Sequence, residues 1–164
     1  MKSYFLIAVV LSFMLNQPTK GFLYPLHASC EIDWTFGINC STVNTKIVDQ
    51  IKKWSGFEIC GESEKCGYKL ISYSSTNIKA THTTPKKHYV DDLKFTGFTE
   101  SSNNCDVKGM SSSETWYAVL DYGTNYCNLH NLITGSGLDK VPGYKEMTSN
   151  SKCTEYTSAN CGKY

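Results

Sequence analysis

The chain has 164 residues, of which 16 are basic and 15 acidic, and its formal net charge at pH 7 is +1. Every basic residue is lysine. Arginine is the residue that recognises phosphate and base edges in a bidentate manner, so its absence from a nearly neutral chain argues against nucleic acid as a partner. The 8 cysteines are even in number, which predicts a disulfide-bonded protein of an oxidising compartment.

The N-terminus has the pattern of a secretory signal peptide. Lys2 precedes an apolar run over residues 4–15, which is too short to span a bilayer but suits the central segment of a signal. Small residues favour cleavage after Gly21, with cleavage after Ala28 as the alternative. We therefore predict a signal peptide over residues 1–21, a short tail over residues 22–29, and one extracellular domain over residues 30–164 with no membrane span.

The first predicted elements are a strand and an amphipathic helix. Residues 30–36 alternate between apolar and polar side chains, as a half-buried strand does. After a turn, Ser41 or Thr42 is a suitable N-cap, and Gly56 is the natural stop of the helix. Between them, apolar residues recur at helical spacing, which places them on one face: Val43, Ile47, Ile51 and Trp54.

The rest of the chain is rich in β-type segments and ends in a second, shorter helical pattern. Strands are predicted over residues 66–74, 78–84, 88–98 and 105–113, and a helix over residues 124–134. The expected fold is α+β: an antiparallel sheet of about four to five strands, packed on one amphipathic helix and disulfide-bonded. Cystatin-like and helix-grip folds have the same order of a strand, a helix and further strands, which makes them analogies for this chain.

Two local disulfides are expected from short polar loops, Cys60–Cys66 and Cys153–Cys161. The four remaining cysteines would then join Cys30 and Cys40 to Cys105 and Cys127. A zinc site is the alternative, but no Cys-x-x-Cys or His-x-x-x-His spacing occurs.

The stretch from residue 117 to 131 has the densest concentration of polar and aromatic residues. Its tyrosines suit a binding surface, where an aromatic ring packs while its hydroxyl group stays in water. The same residues suit a corner where a strand turns into a helix, and this structural interpretation is favoured. The candidate binding residues are Tyr117, Asp121, Tyr122, Asn125, Tyr126, Asn128 and His130.

Catalytic and metal-binding alternatives are weaker. A hydrolase would combine Ser111 or Ser113 with Asp121 and His130, but the Gly-x-Ser-x-Gly pattern is missing. The histidines His82, His88 and His130, with Asp91 and Asp92, have no recognised metal spacing. Instead, His82 and Asp91 are predicted to face the core and to share a hydrogen bond. No metal or cofactor is predicted.

The sequence Asn39-Cys40-Ser41 matches the N-glycosylation sequon, which makes Asn39 a candidate glycosylation site.

Three strings together, STVNTKIVDQIKKW, ATHTTPKKHYVDDLKF and SSSETWYAVLDYGTNYCNLHNL, resemble a set of small secreted cysteine-rich proteins of fish and marine invertebrates, largely of unknown function. The resemblance implies an extracellular location and disulfides, and it carries over no functional residues. The leading hypothesis is a secreted protein that binds a small apolar ligand under the helix or an extracellular protein. The alternatives are a protease inhibitor of cystatin-like type and a secreted hydrolase using Asp121 and His130.

Overall fold

The computed structural model describes residues 27–61, 63–115 and 119–164. Six strands form one antiparallel sheet in the order β2-β3-β4-β5-β1-β6, so the first strand lies between the fifth and the sixth. The strands are β1 (Ser29–Phe36), β2 (Tyr68–Ser74), β3 (Asn77–Thr83), β4 (Val90–Ser101), β5 (Asn104–Ser113) and β6 (Lys145–Met147).

Two helices pack on the same face of this sheet. Helix α1 (Cys40–Lys53) contacts β2 to β5, and helix α2 (Thr124–Gly135) contacts β5, β1 and α1. Two short 3-10 turns follow, over Leu138–Lys140 and Tyr156–Ser158. The predicted α+β fold is confirmed, but both predicted helices pack on the sheet where one was expected, and the sheet has one strand more than the upper expected number.

Helix α1 begins two or three residues earlier than its sequence predicts. The N-cap is Asn39 rather than Ser41 or Thr42, because the Asn39 side chain accepts a hydrogen bond from the Thr42 amide at 2.8 Å. The apolar stripe of Val43, Ile47 and Ile51 is fully buried. Asn39 itself is exposed to solvent.

The core lies between the sheet and the two helices. The alternating pattern of β1 puts Ile32, Trp34 and Phe36 on the inner face. The Trp34 indole stacks on Phe95 of β4, with 6.1 Å between ring centroids, and covers Gly109 of β5, where a larger residue would meet its ring. A flat aromatic ring therefore fills the space that the missing side chain leaves.

The sixth strand corrects the predicted strand count. Its three residues, Lys145, Glu146 and Met147, show no apolar alternation that would reveal them. They extend the sheet because the backbone of β1 pairs with them, Trp34 lying opposite Glu146.

The disulfides are Cys30–Cys153, Cys40–Cys105, Cys60–Cys66 and Cys127–Cys161. The predicted Cys153–Cys161 bridge is wrong. Cys153 lies beside the start of β1, where the Glu31 amide donates to the Lys152 carbonyl group. Cys161 pairs instead with Cys127 of α2. Contrary to the prediction, Cys127 is therefore not the partner of Cys30 or Cys40, and Cys30 pairs with Cys153.

The N-terminal boundaries of the sequence prediction fall largely outside the described residues, including the signal peptide over residues 1–21. At the end of the predicted tail, Ala28 is fully buried and Ser29 already belongs to β1. Among the residues that the structure describes, no helix combines the length and the apolar character needed to cross a bilayer.

Candidate functional site

A cleft of about 470 Å³ opens at one end of the sheet. It lies between the N-terminal end of α2 and the neighbouring ends of β3, β4 and β5, with Glu64 and Tyr164 completing its lining. Its volume is within the range that small organic ligands occupy in proteins. Two loops border it, residues 84–89 between β3 and β4, and residues 119–123 before α2.

The inner wall of the cleft carries the carboxylate of Asp91, which is buried. The Ser113 hydroxyl donates to its Oδ1 at 2.7 Å, and the Asn128 side-chain amide donates to its Oδ2 at 2.8 Å. Asn128 belongs to α2 and Asp91 to β4, so this carboxylate joins the helix to the sheet.

A second carboxylate, Asp121, lies just before α2. Its Oδ1 accepts from the Gly123 amide at 3.1 Å, and its Oδ2 accepts from both the amide and the side chain of Asn125, at 2.9 and 2.7 Å. Burial raises the pKa of Asp121, and the hydrogen bonds from Asn125 and Gly123 oppose that effect.

Asn125 connects the two carboxylates. Its side-chain nitrogen donates to Asp121 and, at 3.2 Å, to the Ser113 hydroxyl that itself donates to Asp91. Its side-chain oxygen accepts from Ser111 at 2.6 Å. Asp91, Ser113, Asn125 and Asp121 therefore form one hydrogen-bonded chain along the inner wall of the cleft.

Both loops at the mouth contain a non-glycine residue in the left-handed backbone region. These residues are His88, at φ 55°, and Tyr122, at φ 56°. This conformation is unfavourable for bulky side chains, and it persists only where surrounding contacts hold it. At Tyr122 the contact is the Glu155 carboxylate, whose Oε2 accepts from the amides of Asp121 and Tyr122 at 2.9 and 2.6 Å.

The mouth also exposes large apolar side chains. Tyr122 and Leu120 are 69% and 66% exposed, and Tyr89 on the facing loop is 51% exposed. Folded proteins usually bury such residues together, so a cluster beside a concave site indicates a contact surface.

Two of the predicted binding residues belong to a different group. Tyr126 and His130 face the edge strand β6, which carries Glu146. The Glu146 carboxylate accepts hydrogen bonds from the Trp34 indole at 2.9 Å, from the Tyr126 hydroxyl at 2.8 Å and from the Tyr144 hydroxyl at 3.0 Å. His130 Nδ1 lies 3.1 Å from the same carboxylate. Burial alone would raise the pKa of Glu146, but hydrogen bonds from His130, Trp34 and Tyr126 lower it to about 2.

The seven predicted binding residues are thus divided among several places. Asp121 and Tyr122 line the cleft, while Asn125 and Asn128 support its inner wall from behind. Tyr126 and His130 surround Glu146. Tyr117 lies outside the described residues.

His130 lies apart from the other proposed hydrolytic residues, because Ser111, Ser113 and Asp121 are all linked through Asn125. Ser111 donates to Asn125 and Ser113 donates to Asp91, whereas His130 pairs with Glu146. Asp121 has its hydrogen bonds with Gly123 and Asn125. No proton path from either serine to His130 follows from these contacts.

His82 and Asp91 face the core as predicted and lie opposite each other in neighbouring strands. The predicted hydrogen bond between them is replaced by others. His82 Nε2 lies 2.7 Å from the Glu64 carbonyl oxygen, and Asp91 accepts from Ser113 and Asn128. Burial lowers the pKa of His82, which favours its neutral form.

Several cleft residues are absent from the predicted binding set: Glu64, Thr84, Tyr89, Leu120 and Tyr164, and also Asp91 and Ser113, which the sequence analysis names only among the metal-binding and hydrolase alternatives. Asp91 had one signal, its inward position on a predicted strand. The others are contributed by loops and strand ends, and no local pattern marks such positions.

In the part of the chain that the structure describes, no group of three or more His, Cys, Asp or Glu side chains is placed to share a metal ion. Comparisons of the chain with protein-family models, with curated proteins and with solved structures find no match.

Proposed function

We propose that this chain is a secreted binding protein and that the cleft at the N-terminal end of α2 holds a small organic ligand. The observation that carries the proposal is a concave site of about 470 Å³ whose inner wall holds polar groups fixed by hydrogen bonds. Asp91, Ser113 and Asp121 of its inner wall are linked through the buried Asn125 by hydrogen bonds, and its mouth holds exposed aromatic and aliphatic residues. Pockets for small molecules combine such apolar surface with a few fixed polar groups.

The conformation of the mouth supports the same proposal. Left-handed backbone at His88 and Tyr122 costs about 1–3 kcal/mol at each position and is concentrated at ligand-binding and active sites in proteins. The Glu155 carboxylate holds the 119–123 loop in this shape before any ligand arrives. A preformed mouth lowers the entropic cost of binding.

The signal-peptide pattern and the 4 disulfides support an extracellular location. The cleft replaces the site expected under the helix, because the sheet face beneath α1 is filled by core side chains such as Phe95 and Ile78. The hydrolase alternative has less support, since Asp121 and His130 belong to separate groups. The inhibitor alternative lacks the Gln-Val-Gly loop typical of cystatins.

Mass spectrometry of protein secreted from eukaryotic cells tests the proposal. We expect the native mass to exceed the denatured mass by one discrete organic species, or the emptied protein to bind members of a small-fragment library in ligand-observed NMR. Thr115→Trp should fill the cleft and abolish binding. Glu114→Trp is the matched control, because Glu114 is exposed and lies outside the cleft lining. Equal native and denatured masses together with no fragment that Thr115→Trp displaces would contradict the proposal.

A further inference from the structure

The inner wall of the cleft carries two carboxylates, and their hydrogen-bond donors among the described residues are all neutral groups. Asp91 accepts from the Ser113 hydroxyl and the Asn128 amide, and Asp121 accepts from the Gly123 amide and from Asn125. These bonds fix both carboxylates without neutralising them. Burial raises the pKa of Asp121, hydrogen bonds from Asn125 and Gly123 oppose that effect, and the nearby Asp91 carboxylate adds to the rise.

The acidic character of the cleft is not confined to these two groups. Glu64 also lines it, and burial raises the pKa of Glu64 while Lys163 and Lys86 oppose the effect. Lys86 and Lys87 lie on the 84–89 loop at the mouth. Lys86, Lys87 and Lys163 therefore place positive charge near Glu64 and at the mouth. Asp91 and Asp121 lie instead in the inner wall of the cleft.

Aromatic rings line the outer part of the same space. Tyr89, Tyr122 and Tyr164 all belong to the cleft lining, together with Leu120. Carboxylates with nearby tyrosine rings are the combination that binds organic ammonium groups, because the ring faces and the carboxylates both attract positive charge. An inorganic cation would need a closer set of ligands than the described residues provide.

Resting on the proposed function of the cleft, we infer that its ligand is an organic ammonium compound with an aromatic or aliphatic body. The ammonium group lies toward Asp91 and Asp121, where it donates to carboxylate oxygens. The body lies against Tyr89, Tyr122 and Leu120 at the mouth. This orientation matches the separation of the acidic wall from the apolar mouth within one cavity.

Three probes of similar size and different charge test the inference: 2-phenylethylammonium, the neutral 2-phenylethanol and the anionic 3-phenylpropionate. Dissociation constants are measured at pH 7 by NMR titration of the full-length secreted protein. We expect the ammonium probe to bind at least about tenfold more tightly than the alcohol, and the carboxylate probe more weakly than the alcohol. Raising the salt concentration should weaken binding of the ammonium probe and leave the alcohol nearly unchanged.

Charge-removing variants locate the effect. Asp91→Asn and Asp121→Asn should each reduce the preference for the ammonium probe over the alcohol by about fivefold or more. Asp92→Asn is the matched control, because Asp92 is the next residue on β4 and is exposed on the opposite face of the sheet. If an aspartate variant does not fold, the three-probe series and its salt dependence on the unaltered protein still decide the question.

The outcomes separate this inference from the proposed function. Equal binding of all three probes, displaced by Thr115→Trp, would retain the cleft as a ligand site and overturn the cationic ligand. Preference for the anionic probe, or for a neutral sugar such as methyl glucoside over the ammonium probe, would also overturn it. Failure of every probe and of the fragment library would overturn both.

Discussion

Gly109 provides a direct test of how tightly the sheet packs against Trp34. It lies in the middle of β5, opposite Ile32 of β1, and its missing side chain leaves room for the indole ring. In Gly109→Ala, the added Cβ would lie 2.7 Å from Cη2 of Trp34 and still closer to Cζ3. Neither atom can stay in place, so the ring or the strand must move.

The ring has little freedom to move. Trp34 is 1% exposed, its indole nitrogen donates to Glu146 at 2.9 Å, and its ring stacks on Phe95. Overpacking in a filled core lowers the free energy of unfolding by about 1–3 kcal/mol. Replacing glycine by alanine also restricts the unfolded chain, which offsets roughly 0.5–1 kcal/mol of that loss. Because the contact is with a held ring, we expect a net loss near the upper end, about 2 kcal/mol in the free energy of unfolding.

Urea titration followed by tryptophan fluorescence measures this free energy, and calorimetry should show a melting temperature lowered by about 6–8 °C. Gly162→Ala is the control, since its Cβ would meet only the exposed Asn160 side chain at 3.3 Å and should change stability by less than about 0.5 kcal/mol. In Gly109→Ala with Trp34→Phe, the smaller ring should make the alanine cost at least about 1 kcal/mol less than it does beside tryptophan. An alanine variant as stable as the original protein, or strict additivity in the pair, would refute the packing argument.

The Glu146 carboxylate, two of the disulfides and the Asn39 side chain can each be tested by substitution. The folded pKa of Glu146 lies at about 2, below its ordinary 4.5, so its stabilisation is present above pH 5 and is lost as the pH falls toward 2. Unfolding free energies measured across that range should fall by roughly 3 kcal/mol more in the original protein than in Glu146→Gln, and parallel curves would contradict this. Replacing Cys60 and Cys66 by serine should lower the free energy of unfolding by about 2 kcal/mol, and replacing Cys40 and Cys105 should lower it by about 4 kcal/mol. The difference is expected because the two bridges span sequence separations of 6 and 65 residues. Equal losses in urea titration would contradict this prediction. A glycan on Asn39 should appear as mass removed by a glycosidase, and both Asn39→Ala and Asn39→Asp should abolish it, but only the alanine variant should also lose about 1 kcal/mol through the missing N-cap.

The sequence predicts those parts of the fold that repeat a local pattern. Alternation identifies β1, and helical spacing identifies α1 and α2. The Cys60–Cys66 bridge is equally local, since its loop has little else to hold it. In each case the information lies within a few turns or a few residues of chain.

The rest depends on contacts between distant segments. β6 is a strand because the edge of β1 is open to it, and its own residues have no strand pattern. Cys153 pairs with Cys30 for the same reason, across a separation of 123 residues. The cleft combines Glu64, Asp91 and Asp121, which only the sheet order brings together.

The predicted polar stretch illustrates both cases. Because a helix turns by about 100° per residue, neighbouring polar residues of α2 point in different directions. Asn125 and Asn128 meet the inner wall of the cleft, whereas Tyr126 and His130 meet Glu146. The polar residues of this one stretch therefore contribute to two separate groups, the inner wall of the cleft and the residues around Glu146.

The connectivity of the disulfides determines what a protease can release. A cut after Lys87 leaves two pieces joined by Cys30–Cys153 and Cys40–Cys105, and a cut after Val119 leaves them joined by Cys30–Cys153. Both cuts fall in loops that border the cleft. Processing at either loop would thus alter the entrance to the cleft while the product remained one covalent molecule, heavier by one water and visible as two fragments only after reduction.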